Sequence, residues 1–270
     1  MVPPPPAHTA VHRMQMPCNV PCVDELCLFV THAAGSQLKT HVQHHVQALL
    51  DAGIPVVLIV NSDAQTDDLA LPETLQSRLS GCVIRENVGF DFAAWAHACA
   101  LVDLAQVRRR LYLVNDSVVG PLDEAQFRAL LAACRGSEED LVGLTENHAP
   151  VYHLQSYFLC VGPRLLHSAL FRAVMAGVVN MPTKQDVIDM YETGWTPYFV
   201  AHGFRCRALF AQRQTSRRND DETLFNWAGL IERGLPFVKT SVVRSTAETD
   251  LLSRWVPASC VDELRGAQVR

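Results

Sequence analysis

Four short apolar runs, at residues 26–31, 55–60, 82–84 and 111–114, are each closed by small polar residues or by a glycine-bearing cluster. Segments of helical period separate them. Strand-sized runs alternating with helices, three strands within about 60 residues, demand right-handed crossovers into a mostly parallel sheet. The helices are expected at 41–52, stopped by Gly53, at 67–79, and at 92–104, which is rich in Ala and Leu. Val42, Val46, Leu49 and Leu50 mark the buried face of the first. The expected fold is therefore α/β, a mostly parallel central sheet flanked by helices.

The third and fourth runs lead into the two most polar clusters of the chain. One is Arg85-Glu86-Asn87-Val88-Gly89-Phe90-Asp91, and the other is Asn115-Asp116-Ser117 followed by Gly120-Pro121. Both fall at the carboxyl ends of expected parallel strands, where open α/β sheets bind their ligands. Arg85 is suited to pair a phosphate with two donors. Gly89 permits close backbone approach, and Asp91 opens a helix that can face a ribose or phosphate. Thr31, His32 and Asn61 end the first two strands and border the same edge. A capped helix start and an Asx-type turn use the same residue types, so both readings stay open on these residues alone.

Further along, a helix is expected at 123–135, a strand at 141–144 and another at 151–161. In the latter, His153, Gln155 and Tyr157 alternate onto one face, which suits either a cleft wall or a half-exposed edge. Residues 184–202 read as helical with a break near 194–197, then a strand at 204–210, a polar loop at 212–221 and a helix at 222–232. Residues 1–22 are Pro-rich and non-periodic and are expected to be a disordered leader. The division expected is thus leader 1–22, one domain 23–245, and a helical tail 246–270 anchored by Trp255.

Composition narrows the function. With 270 residues, 49% of them hydrophobic, the chain can bury one substantial core. A net charge of −5 argues against nucleic acid as partner. No apolar run approaches the roughly 18–20 residues that span a bilayer. Nine scattered cysteines suggest a reduced, cytoplasmic protein. Cys18, Cys22 and Cys27 lack a fourth ligand at zinc spacing, and His41, His44 and His45 read as one solvated helix face. No GxGxxG, P-loop or GxSxG pattern occurs, which disfavours dinucleotide oxidoreductases, P-loop kinases and α/β hydrolases.

The pattern Arg85-Glu-Asn-x-Gly-Phe-Asp-Phe-x-Ala-Trp95, then Asn115-Asp-Ser-x-x-Gly-Pro121, resembles the rhamnan synthesis protein F family of bacterial polysaccharide glycosyltransferases. Gly143-Leu-Thr-Glu146 with His153-Leu-Gln-Ser-Tyr-Phe158, Tyr191-Glu-Thr-Gly194, and Leu230-Ile-Glu232 with Pro236-Phe-Val-Lys239 extend the match across residues 24–245. The resemblance implies a GT-A-like nucleotide-binding fold and inverting transfer from a nucleoside-diphosphate sugar, dTDP-L-rhamnose by the family name. The acceptor would be a polysaccharide or lipid-linked chain, reached at the inner face of the membrane by peripheral contact. Thr31, His32, Asn61, Arg85, Asn87, Gly89, Asp91, Asn115 and Ser117 would line the donor. Asp116 would meet a divalent cation, Mg²⁺ or Mn²⁺, although this motif holds one acid where such motifs commonly hold two. By the same analogy Glu192 would be the catalytic base, with Glu146 as its competitor, and His153, Gln155 and Tyr157 would face the acceptor. Arg213, Arg217 and Arg218 would form a basic patch at the cleft mouth. The sequence departs from the family at Asn219-Asp220-Asp221, where relatives tend to have Pro-Thr. A non-catalytic nucleotide-sugar-binding or scaffold domain is the alternative that the reduced motif keeps open.

Overall fold

The structure, a computed structural model, describes residues 3–63, 69–212 and 221–266. After β1 His12–Met16, the first half alternates as expected: β2 Val23–Ala33, α1 Thr40–Asp51, β3 Val56–Ser62, α2 Glu73–Gln76, β4 Gly81–Glu86, α3 Phe90–Leu101 and β5 Val107–Asn115. There follow β6 Val118–Val119, α4 Glu124–Gly136, β7 Leu141–Asn147, β8 His153–Leu154 and β9 Phe158–Val161. Helices α5 Pro163–Leu166, α6 Ala169–Ala176 and α7 Lys184–Val187 lead into a π-helical turn, Ile188–Glu192, and α8 Thr193–Ala201. The chain closes with β10 Cys206–Phe210, α9 Glu222–Phe225, α10 Trp227–Glu232, β11 Val238–Lys239, α11 Thr240–Ser245, α12 Thr249–Leu252 and α13 Ala258–Gly266.

One large sheet runs β1-β4-β3-β2-β5-β9-β7-β10, with β8 added on β7. Strands β4, β3, β2 and β5 are mutually parallel, β9 is antiparallel to both its neighbours, and β10 returns parallel to β7. Set aside β1 and the short strands, and the order in chain sequence is 3-2-1-4-6-5-7 with the sixth reversed. The chain therefore switches direction of winding between β2 and β5, the topological switch point at which α/β sheets open a crevice. The central strands are buried on both faces. On β2, Leu26, Leu28 and Val30 pack toward α3, while Cys27 and Phe29 pack toward α1 and α4. A third, smaller cluster joins Trp227, Val238, Val243, Val256 and Leu264, so the tail is helical and packed.

Several expectations change. The leader is not a disordered segment from residue 3 onward: β1 pairs antiparallel with β4, and the Pro5 and Pro6 carbonyls accept from the Asn180 backbone and side chain. Prolines donate nothing but accept freely, and the free edge of β4 supplies a partner that composition cannot reveal. The expected strand 151–161 divides into β8 and β9, because Gln155 N turns aside to Thr145 O while Asn115 N takes Tyr157 O. The helix across 184–202 does not break at 194–197. Its irregularity is the π-helical turn that ends at Glu192, and Pro197 sits inside α8. The early helix expected at 67–79 shortens to α2; its first two residues, 67 and 68, lie outside the described residues, as does most of the loop at 212–221 with Arg213, Arg217 and Arg218.

Candidate active site

Two motif aromatics build the site before any polar group enters it. Phe92 stacks on Tyr191 at 5.5 Å between ring centres and meets Trp195 edge-on at 4.6 Å. Trp95, fully buried, donates its indole N–H toward the carbonyls of Leu28 and Val114, which nails α3 onto the sheet. Aromatic packing of this kind stabilises and orients at once. Asp91 precedes Phe92 in the chain and Glu192 follows Tyr191, so the stack brings both carboxylates into one cleft.

That cleft has a volume of about 520 Å³ and opens at the carboxyl edge of the sheet. Its walls include Asp91, Asn115, Ser117, His153, Gln155 and Glu192, six of the residues expected from the sequence. Asp91 Oδ2 accepts from Asn115 Nδ2 at 2.7 Å, and Asn115 Oδ1 accepts from the Ser117 backbone and hydroxyl at 3.0 and 2.7 Å. Burial, then the neighbouring Glu192 carboxylate, push the Asp91 carboxyl up to about 6, against the pull of its hydrogen bonds. Glu192 Oε1 accepts from the Ser156 backbone at 3.1 Å. Gln155 bridges Thr145 and Asp221. His153 is held through Nδ1 against Val151 O at 2.8 Å.

Other expected site residues are placed elsewhere. Arg85, assigned to phosphate, has no exposed surface, and its guanidinium is spent on Asn61 Oδ1, Val88 O, Asn180 Oδ1 and His97 Nδ1. It holds the turn before α3 from inside. Asn61 is buried between Arg85 and Phe90 O. Gly89 is left-handed (φ 72°) and packed, since a Cβ there would lie 2.8 Å from Asn180 Cα; its neighbour is the protein's own chain, not a ligand. Thr31 is buried and donates to Asp116. Glu146 lies off the cleft and accepts from the Gln212 backbone. Tyr157 is buried against Thr145 rather than facing the cleft. His32 and Asn87 do stay at the surface, both on the carboxylate of Asp63 at 3.0 and 2.7 Å. That carboxylate sits below its ordinary range, chiefly through the Asn87 and His32 hydrogen bonds.

Asp116 is the largest departure. Its Oδ2 accepts from Thr31 Oγ1 at 2.6 Å, from His32 N at 3.3 Å and from the Lys39 ammonium at 2.7 Å. Burial raises its pKa, but Lys39 and the Thr31 hydroxyl outweigh that and leave it below the ordinary value. The side chain points to the α1 face, whereas Asn115 and Ser117 on either side of it line the cleft.

A larger cavity, about 670 Å³, lies at the opposite, amino edge of β2 and β5. Arg108 and Arg135 there are paired with Asp24 and Glu25, and Arg110 donates to main-chain carbonyls. It lies far along the strands from the switch-point edge.

Residues 56–256 match the family described as rhamnan synthesis protein F. The chain belongs to that family. Among curated relatives it is 27% identical over 175 residues to the uncharacterized protein y4gN of Sinorhizobium fredii, covering 62% of this chain and 43% of that one. It is 25% identical over 195 residues to the virulence protein VirA of Vibrio anguillarum, covering 59% and 61%. The match therefore spans about half the length of these relatives. Among solved structures, glucosyl-3-phosphoglycerate synthase of Mycobacterium tuberculosis, bound to Mn²⁺, UDP and phosphoglyceric acid, aligns over 77% of this chain and 78% of that one. Its identity is 14% and its TM-score 0.35, a likeness that decides nothing here.

In this member of the rhamnan synthesis protein F family the strand-end acid is already paired with a side-chain cation, which weakens it as a ligand for a divalent ion. Hard cations need oxygen atoms free to coordinate. Asp116 Oδ2 is taken by three donors, one of them a cation, and Asn115 Oδ1 by two. Among the described residues, no three of His, Cys, Asp and Glu gather to hold an ion. Cys27, Cys82, Cys134 and Cys160 are free thiols in the core. No helix of the described residues is long and apolar enough to cross a membrane. The cleft also holds residues that the sequence did not single out: Lys184, Asp189, Lys239 and Arg244. Only Lys239 carried a signal, as the last residue of a motif shared with the family.

Proposed function

We propose that the chain is a glycosyltransferase of bacterial surface-polysaccharide assembly, moving a sugar from a nucleoside-diphosphate donor to a polysaccharide or lipid-linked acceptor. The observation that carries this reading is the pair Asp91 and Glu192 in one cleft at the carboxyl edge of the sheet. The strand order supports a GT-A-like donor site at the same edge. Family membership supports polysaccharide synthesis, and its name supports dTDP-L-rhamnose as donor. The reaction would take place on the cytoplasmic side, at the inner face of the membrane.

Glu192 serves as the base. The Ser156 N–H fixes one of its oxygens, and the other accepts the proton of the acceptor hydroxyl. The acceptor oxygen bonds to the anomeric carbon, the bond from that carbon to the diphosphate oxygen breaks, and the diphosphate leaves with the electron pair. A single displacement inverts the anomeric centre. Asp91, raised to about 6, hydrogen-bonds the transferred sugar from a position fixed by Asn115. Such general-base assistance contributes about 10²–10⁴-fold.

The scaffold alternative draws support from one feature, the engagement of Asp116 by Lys39. Thermal shift with a panel of nucleotide sugars, followed by transfer assays on lipid-linked oligosaccharide, separates the two. A ligand that binds the folded state alone raises the melting temperature. Stabilisation by dTDP-L-rhamnose together with turnover is the expected result. Stabilisation by no nucleotide sugar sinks the donor reading, and binding with no turnover on any acceptor favours the scaffold.

A further inference from the structure

We infer that this chain neutralises the diphosphate of its donor with two side-chain cations of the cleft, Lys239 and Arg244, rather than with a divalent metal ion. The inference rests on the donor reading above and deepens it. Departing diphosphate gains negative charge as the sugar leaves, and a transferase must set positive charge against it.

The expected partner for that charge was a cation on Asp116, and the geometry turns that carboxylate to another use. Lys39 reaches it from the start of α1 at 2.7 Å, with Thr31 and His32 filling the same oxygen. Asn115 and Ser117 bond to each other and to Asp91. The motif is a rigid turn whose acid is already neutralised.

Directly beside it, β11 pairs with β6, so that Lys239 lies opposite Val118 and Thr240 N donates to Ser117 O at 2.8 Å. This places Lys239 in the cleft wall next to Ser117. Its ammonium stands 4.7 Å over the centre of the Tyr157 ring, and among the described residues it forms no ion pair. Arg244 lines the same wall from α11 and likewise has no carboxylate within ion-pair distance among the described residues. The acids of the cleft have hydrogen-bond partners of their own. Asp91 is held by Asn115, Glu192 by Ser156, Asp189 by Gln185 and Asp221 by Gln155 and Thr223. The cleft thus holds the carboxylates Asp91 and Glu192 together with two cations that no carboxylate engages among the described residues, a set that a diphosphate fits. Half-buried cations in a site that excludes water are stronger toward phosphate than exposed ones.

The test is calorimetric titration of UDP and of dTDP into the full chain, in excess EDTA and in excess Mn²⁺, with Mn²⁺ alone followed by its electron spin resonance. Nucleoside diphosphate should bind with affinity unchanged within about twofold between the two buffers, and Mn²⁺ alone should not bind. Lys239→Met keeps the methylene stem over Tyr157 and removes the charge. It should weaken diphosphate binding about 10–100-fold, the span of one charge-assisted hydrogen bond. Lys239→Arg should restore most of it, with melting temperatures of both variants near wild type. Binding that appears only with Mn²⁺ overturns the inference and leaves the donor reading standing. Binding by Lys239→Met and by Lys239→Met with Arg244→Met at wild-type strength overturns it as well. Absence of binding in both buffers overturns the donor reading and the inference together. The EDTA comparison uses wild-type protein and holds even if a variant fails to fold.

Discussion

The Phe92 and Tyr191 rings stack 5.5 Å apart, and the chain neighbour of each is a carboxylate of the candidate cleft. Residues 99 positions apart in sequence are thereby locked so that Asp91 and Glu192 share one field. The consequence is visible in Asp91, whose carboxyl is raised to about 6 by burial and by Glu192.

Glu192→Gln keeps shape and the hydrogen bond from Ser156 but accepts no proton. Transfer should fall about 10²–10⁴-fold while donor affinity stays within a few-fold. Glu146→Gln, at a side chain engaged with the Gln212 main chain, His148 and Tyr152, should leave transfer within a few-fold of wild type. Steady-state kinetics on the two variants decide between them; the reverse pattern moves the base to Glu146.

Asp91→Asn should stabilise the fold at neutral pH. Unfolded, this carboxyl titrates near 3.8; folded, near 6. Between those values the native state keeps a proton that the unfolded chain has lost, so Asp91 costs stability increasingly as pH rises through that window. The variant removes a cost of about 1–3 kcal/mol above pH 6 and keeps an acceptor for Asn115. Melting curves at pH 4 and pH 7 should diverge between variant and wild type only at the higher pH.

His45 tests the core. It is buried among Phe29, Phe127, Phe158 and Phe237, and neither ring nitrogen has a partner among the described residues. Burial, then His44 and His41, lower its pKa from 6.5 to about 3. Between these values the unfolded chain binds a proton that the native state refuses. Stability is therefore complete above about pH 6.5 and drains as pH falls toward 3. His45→Leu should flatten that acid slope in urea titrations and add roughly 1–3 kcal/mol at neutral pH, by removing unsatisfied polar atoms.

Arg85→Met should destabilise by roughly 3–5 kcal/mol, because it strands Asn61, Asn180 and the Val88 carbonyl in the interior. Nucleoside diphosphate affinity, measured on the fraction that remains folded, should change little. A large loss of affinity in a stably folded variant would return Arg85 to the donor site.

Local patterns in the sequence were enough for the alternating elements. The runs at 26–31, 55–60, 82–84 and 111–114 became β2 to β5, and the apolar face of α1 packed as its spacing requires. Asn115, Ser117 and Asp91 were legible as cleft residues because each closes a strand or opens a helix at the ligand-binding edge, whereas Glu192 was singled out only through the family resemblance. Lys39 and Arg244 were not, since a single cation in a loop or short helix carries no periodic signal, and Lys239 was marked only as the last residue of a family motif.

What the sequence by itself determined is the four central strands, their parallel winding and the edge on which chemistry collects. Those follow from short-range apolar period and from the stereochemistry of crossovers. Only the tertiary structure decided how each polar residue is used. Arg85 and Asp116 look alike in sequence, both charged at a strand end. One is sealed among amides under the Asn180 turn, and the other is capped by Lys39 from α1. A charge behaves according to what desolvates it and what stands within a few ångströms, and here those neighbours arrive from 77 and 95 positions away in the chain.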